Sequence, residues 1–121
     1  MNWTALAIVV ALLIAVFLLK RAGQVPVREA QAYLKGGALV IDVRSTGEFA
    51  GGHLPKAINI PLDQIESGVP RRVPDKNKVL LLHCASGMRS GTAKGKLKAM
   101  GYTNAFNLGS YSRAAGIVGR N

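Results

Sequence analysis

Cys84 is the only cysteine in this 121-residue chain, and it heads the segment Cys84-Ala85-Ser86-Gly87-Met88-Arg89 between an apolar run and a helix-like stretch. A loop wrapped around one sulfur atom turns its backbone N–H groups inward, and the helix that follows adds the positive end of its dipole. A cysteine placed at a helix N-terminus beside an arginine can have its pKa lowered from about 8.5 into a range of roughly 3.5 to 7.5. The expected chemistry is that of a nucleophilic thiolate, Cys84, in an anion-binding loop formed by Ala85, Ser86, Gly87, Met88 and Arg89. The competing reading, a buried cysteine packing as a small hydrophobe, is set aside. The loop glycine, the arginine and the helix start all fall where an activated thiolate needs them. Ser86 and Met88 shape the pocket in this reading. Ser90 either donates a hydrogen bond to the sulfur or caps the next helix.

The elements that must position this loop are legible as apolar runs. Residues 38–41 and 79–82 are continuously apolar and end at Asp42 and His83, and fully apolar strands alternating with helices indicate a parallel sheet covered on both faces. Shorter strands are expected over 57–60 and 104–108, and helices over 28–34, 62–66 and 90–100. Gly36-Gly37 stops the first helix, and residues 68–78, with Pro70 and Pro74, read as one long loop. The cysteine then falls at a strand's carboxyl end, the edge at which open α/β sheets bind ligands. Asp42, Arg44 and Glu48 could touch substrate, but the preferred reading has them end a buried strand and pair with one another. His83 could tune the thiolate, and His53 is similar; both read rather as hydrogen-bonded core histidines. One cysteine and two distant histidines do not make a metal site, and no cofactor is expected.

Several segments together resemble a single-domain rhodanese, a sulfurtransferase family, over roughly residues 25 to 110. Asp42-Val43-Arg44 with Glu48-Phe49, then the run from Gly52-His53-Leu54-Pro55 to Asn59-Ile60-Pro61, are similar to the family's two upstream signatures. The segment from Cys84 to Ser90 resembles its active-site loop. Gly101-Tyr102 and Leu108-Gly109 resemble its closing segment. The resemblance implies a three-layer α/β domain with a parallel sheet of four or five strands. It also implies a mechanism: Cys84 takes the outer sulfur of thiosulfate or a persulfide donor, holds it as a persulfide, and passes it to a thiol or cyanide. Arg89 would face the small anionic donor, and its planar fork suits an oxyanion. Two positions depart from the family pattern: Ser110 and Ala114 stand where a second glycine and a tryptophan are usual. The closing segment, with Gly116 and Gly119, reads as a poor helix.

The N-terminus reads differently from the rest. Residues 2–19 carry no charge and Trp3 lies near their start, so a helix of roughly 27 Å would approach the ~30 Å hydrocarbon core of a bilayer. Lys20-Arg21 follow at once and no basic residue precedes. The expectation is a transmembrane anchor over 1–21, N-out, with a catalytic domain over 22–121 in the cytoplasm. A cleaved signal peptide would want a basic start and small residues at a cleavage site. The net charge is +10, and without Lys20 and Arg21 the remaining 14 basic and 6 acidic residues leave +8. The basic residues are scattered and aromatics are few, which argues against nucleic acid and for a basic face held near anionic head groups.

Two rival functions remain. A cysteine phosphatase or arsenate reductase would use a similar Cys-to-Arg loop, but such loops have five intervening residues and this one has four, a ring sized for sulfur rather than a phosphoryl group. A membrane-tethered persulfide carrier, handing sulfur to a relay protein, shares every residue named above.

Overall fold

The computed structural model describes residues 2–119; Met1 of the expected anchor and residues 120–121 of the expected domain lie outside them, as do the side chains of residues 20–22. The chain runs through α1 (Trp3–Ala22), α2 (Val27–Lys35), β1 (Leu39–Asp42), α3 (Thr46–Ala50) and β2 (Ile58–Asn59). A 3₁₀ turn (Leu62–Gln64) then leads into α4 (Ile65–Arg72), β3 (Leu80–His83), α5 (Met88–Ala99), β4 (Ala105–Gly109) and α6 (Tyr111–Val118).

All strand pairings are parallel, in the order β2-β1-β3-β4. The apolar runs alternate in the faces they serve, as the period of a strand requires. Ile41, Leu80 and Leu82 point with Cys84 into a core shared with Ile65 and Val69 of α4 and Ala93 and Leu97 of α5. Val40 and Leu81 point the other way, to Ala30 of α2 and Ala114 and Ile117 of α6. The result is the expected three-layer α/β/α arrangement with four strands.

Three local expectations are corrected. The long loop over 68–78 is helical as far as Arg72, despite Gly68 and Pro70. Ile65 and Val69 lie one turn apart and are fully buried, and Val73 follows in the same stripe, so packing outweighs the breakers. Gly68 leaves room for the close approach of β2's end, since a Cβ there would stand 3.0 Å from Ile60 Cγ2. The closing segment is a helix after all: Ser110 accepts a hydrogen bond from Arg113 N at 3.1 Å as its cap, and Ala114 and Ile117 are buried. Finally, α3 was not expected. Its start carries a capping box in which Ser45 and Glu48 each accept from the other's backbone N–H.

The expected anchor is not shown. α1 is a 20-residue helix outside both cores, with large side chains exposed on every face, among them Trp3, Leu12, Leu13, Phe17 and Leu19. Among the described residues no helix is long and apolar enough to cross a membrane. The uncharged part of α1 ends at Leu19, short of the roughly 20 apolar residues a span needs. After α1, Val25 enters the fold by donating its N–H to Asn107 O at 2.9 Å.

Candidate active site

β3 delivers Cys84 to the carboxyl edge of the sheet, and the loop that follows closes around its sulfur. Gly87 has φ +96°, a left-handed conformation that turns its N–H back onto Cys84 Sγ at 3.0 Å. Carbonyls on the loop are held outward: Ala85 O accepts from Tyr111 N at 3.2 Å, and Gly87 O accepts from Asn107 Nδ2 at 3.1 Å. With the carbonyls so engaged, the N–H groups are left to face the sulfur. Ser90 is the third residue of α5, whose cap is Gly87; its hydroxyl lies 3.5 Å from Sγ. Ser90 is therefore not the cap of α5; its hydroxyl reaches Asn107 Oδ1 at 2.7 Å and Gly87 O at 3.2 Å as well as the sulfur.

The electrostatics favour the thiolate. Burial pushes the Cys84 thiol up, but the Ser90 hydroxyl and the N–H groups of Ser90, Gly87 and Ser86 more than offset it, so the pKa falls below its ordinary value. Cys84 itself is fully buried, while Ala85, Ser86 and Met88 are exposed around it. The reacting sulfur therefore lies at the floor of a ring of amides.

Arg89 is not free. Its Nη1 and Nη2 donate to Glu48 Oε1 and Oε2 at 2.7 and 3.1 Å, a fork-on-fork pair at the rim. The arginine holds the Glu48 carboxyl down to about 2. This corrects the expectation that Asp42, Arg44 and Glu48 pair with one another. Asp42 and Arg44 do form a buried pair, with Arg44 Nη2 donating to Asp42 Oδ2 at 2.7 Å and Nε to both carboxylate oxygens at 3.0 Å. Arg44 also lies 4.7 Å from the Tyr111 ring centroid.

The two histidines part company. His83 is fully buried beneath the loop, with Nδ1 3.3 Å from Cys84 O and Nε2 3.7 Å from Asp42 Oδ2. Its Nε2 has no hydrogen-bond partner among the described residues, and burial lowers its pKa. His53 is exposed; its ring stacks on Phe49 at 3.8 Å and its Nδ1 meets Phe49 O at 2.9 Å. It is therefore not a core histidine.

Sequence reasoning missed Asn107. At 6% exposure it accepts from Gly109 N at 2.9 Å and from Ser90 Oγ at 2.7 Å, and it donates to Gly87 O. A single asparagine in a short apolar strand was the available signal, since β4 is buried except at the half-buried Phe106 and a polar side chain there needs partners. Ser110 and Ala114, the two departures, give a capped helix whose Arg113 donates to Leu108 O at 2.7 Å and to Val25 O at 2.6 Å.

A cysteine at a parallel strand's end, a loop of inward amides and a three-layer α/β domain define a rhodanese-type site. A family model for the rhodanese-like domain matches residues 26–113, and the chain belongs to that family. It is similar to thiosulfate sulfurtransferase PspE of Escherichia coli, 42% identical over 69 residues, which cover 57% of this chain and 66% of that protein. The thiosulfate:glutathione sulfurtransferase of Saccharomyces cerevisiae is 35% identical over 79 residues, 54% of this chain and 55% of that protein. Among solved structures, the human single-domain sulfurtransferase TSTD1 superposes with a TM-score of 0.67 at 30% identity, covering 78% of this chain and 96% of that one. The matches span 55–66% of the length of the first curated relatives.

Proposed function

We propose that the protein is a sulfurtransferase that carries sulfane sulfur on Cys84. The observation that bears most weight is the Gly87 N–H at 3.0 Å from Sγ, with the Ser90 hydroxyl beside it. Donors aimed at one sulfur stabilise a thiolate before reaction and the terminal sulfur after it. In the first half-reaction Cys84 thiolate attacks the outer sulfur of thiosulfate or an organic persulfide. The new S–S bond forms on Cys84, the donor's bond to that sulfur breaks, and the electron pair leaves with sulfite or a thiolate. In the second half, a thiolate or cyanide attacks the terminal sulfur and Cys84 thiolate is restored. The steps balance without a metal or redox cofactor. The names of the similar proteins, which act on thiosulfate, support this choice of donor. With thiosulfate and cyanide the wild-type protein should release thiocyanate, and Cys84→Ser should release none. Hydrolysis of phosphate esters without thiocyanate release would overturn the reading.

The reading includes a place in the cell: α1 holds the domain at the cell membrane, N-out, with the catalytic domain on the cytoplasmic side. It is supported by a helix whose described side chains from Trp3 to Leu19 are exposed and almost all apolar, and by Lys20-Arg21 directly after them. A short apolar stretch is accommodated by bilayer thinning and by basic residues reaching to the interface. Because Cys84 is the only thiol, a membrane-impermeant maleimide should fail to label intact cells and should label after lysis. Labelling before lysis would reverse the orientation, and recovery in the soluble fraction would remove the anchor.

A further inference from the structure

Resting on the sulfurtransferase reading, we propose that Glu48 determines which donor is used, by holding the Arg89 guanidinium away from free dianions. The expected anion-binding arginine is occupied on two of its nitrogens by one carboxylate, at 2.7 and 3.1 Å. At this rim the Arg89 and Glu48 charges cancel, so the pair offers thiosulfate, a dianion, no net positive charge, and two of the guanidinium's N–H groups are already taken.

The hollow beside Arg89 points the same way. It encloses about 390 Å³ and is walled by Val43, Pro61 and Leu62. Its lysine, Lys96, is engaged by Glu66 at 3.2 Å, and Asp63 adds a further negative charge. Such a surface accepts the carbon body of an organic persulfide better than a compact oxyanion. The transfer is Cys84–S⁻ plus R–S–SH giving Cys84–S–SH plus R–S⁻. One S–S bond forms, one breaks, and the departing thiolate carries the electron pair and takes its proton from water.

Glu48→Gln isolates the effect. Glutamine at the third helical position keeps the capping box with Ser45, so α3 survives the change. Steady-state kinetics of the full-length protein in detergent should be measured with thiosulfate and with 2-hydroxyethyl persulfide, whose carbon body carries no charge. In Glu48→Gln the ratio of the two kcat/KM values should move about 3- to 10-fold toward thiosulfate, the size expected for releasing a half-exposed ion pair and one repelling charge. The gain should lie in KM for thiosulfate rather than in kcat, and sulfate, a dianion that cannot react, should become a correspondingly tighter inhibitor. A merely structural role would lower both donors alike. An unchanged ratio, or a shift toward persulfide, overturns the proposal while leaving the sulfurtransferase intact. A wild-type protein that takes sulfur from neither donor overturns the sulfurtransferase reading, and Glu48 with it.

Discussion

Ser90 Oγ and Asn107 Oδ1 are 2.7 Å apart, and the same hydroxyl lies 3.5 Å from Cys84 Sγ. The amide orientation of Asn107 is fixed by its other partners, since Oδ1 accepts from Gly109 N and Nδ2 donates to Gly87 O. It therefore offers Ser90 an acceptor, and the single hydroxyl proton has three claimants: Asn107 Oδ1, Gly87 O at 3.2 Å and the sulfur. Ionisation of Cys84 strengthens the claim of the sulfur, because a charged acceptor makes the stronger bond. The hydroxyl can follow the charge as Cys84 cycles between thiolate and persulfide.

Ser90→Ala removes the largest influence favouring the thiolate after burial has opposed it. The Cys84 pKa should rise, because the thiolate loses a hydroxyl donor. Alkylation by iodoacetamide below that pKa should slow accordingly. The pH dependence of the alkylation rate measures this. No shift would mean that the proton stays off the sulfur.

Asn107→Leu fills a similar space but strands Gly109 N–H in the interior and takes the β4 donor from Gly87 C=O, which keeps its bond from Gly91 N–H. The cost should be about 2 to 3 kcal/mol of stability, read as a lowered urea midpoint with unchanged slope. Alkylation of Cys84 should also change, because Gly87 loses its tether from β4.

Gly87→Ala forces a side chain onto φ +96°, with its Cβ 3.4 Å from the Gly109 backbone. The left-handed conformation alone costs a non-glycine residue about 1 to 2 kcal/mol. Relief of that strain would swing the Gly87 N–H off the sulfur, so thiocyanate release should fall more steeply than stability. Equal falls in both would reduce Gly87 to a structural part.

What the sequence showed of this site depended on how local each signal is. The runs at 38–41 and 79–82 are apolar throughout and became β1 and β3, whose side chains serve a core on each face of the sheet. The loop from Cys84 to Arg89 was legible because its glycine, arginine and helix start are contiguous. Glu48 was paired with the wrong partner, since 41 residues separate it from Arg89 and only the packing of α3 beside the loop unites them. The capping box of Ser45 and Glu48 was written in the sequence and could have located α3. The α4 helix was hidden by Pro70, and the role of Asn107 emerges only where β4, the loop and α5 converge.

His83 sets a pH dependence of stability. Its neighbours are Asp42 at 3.7 Å, Arg44 beyond it, the Tyr111 ring and the Cys84 carbonyl, and burial dominates to lower its pKa. The unfolded chain, with an ordinary histidine near 6.5, then binds the proton more readily than the folded one. The His83 contribution should be complete above about pH 6.5 and be lost as pH falls below it, while the lowered Cys84 pKa adds a separate rise at higher pH, complete only above the ordinary thiol value. Glu48, lowered from 4.5 to about 2, acts only below about pH 4.5, so the window between belongs to His83. Urea midpoints at several pH values should show the decline in the wild type and a flatter profile in His83→Gln.

The central claim is that Cys84 carries the transferred sulfur, and an intact-mass spectrum of the purified protein tests it most directly. After incubation with thiosulfate or glutathione persulfide and removal of the donor, the wild type should gain the mass of one sulfur atom. Cyanide or a thiol should return it to its starting mass, and Cys84→Ser should gain nothing. A wild-type mass unchanged by either donor, or a sulfur retained by Cys84→Ser, would contradict the account.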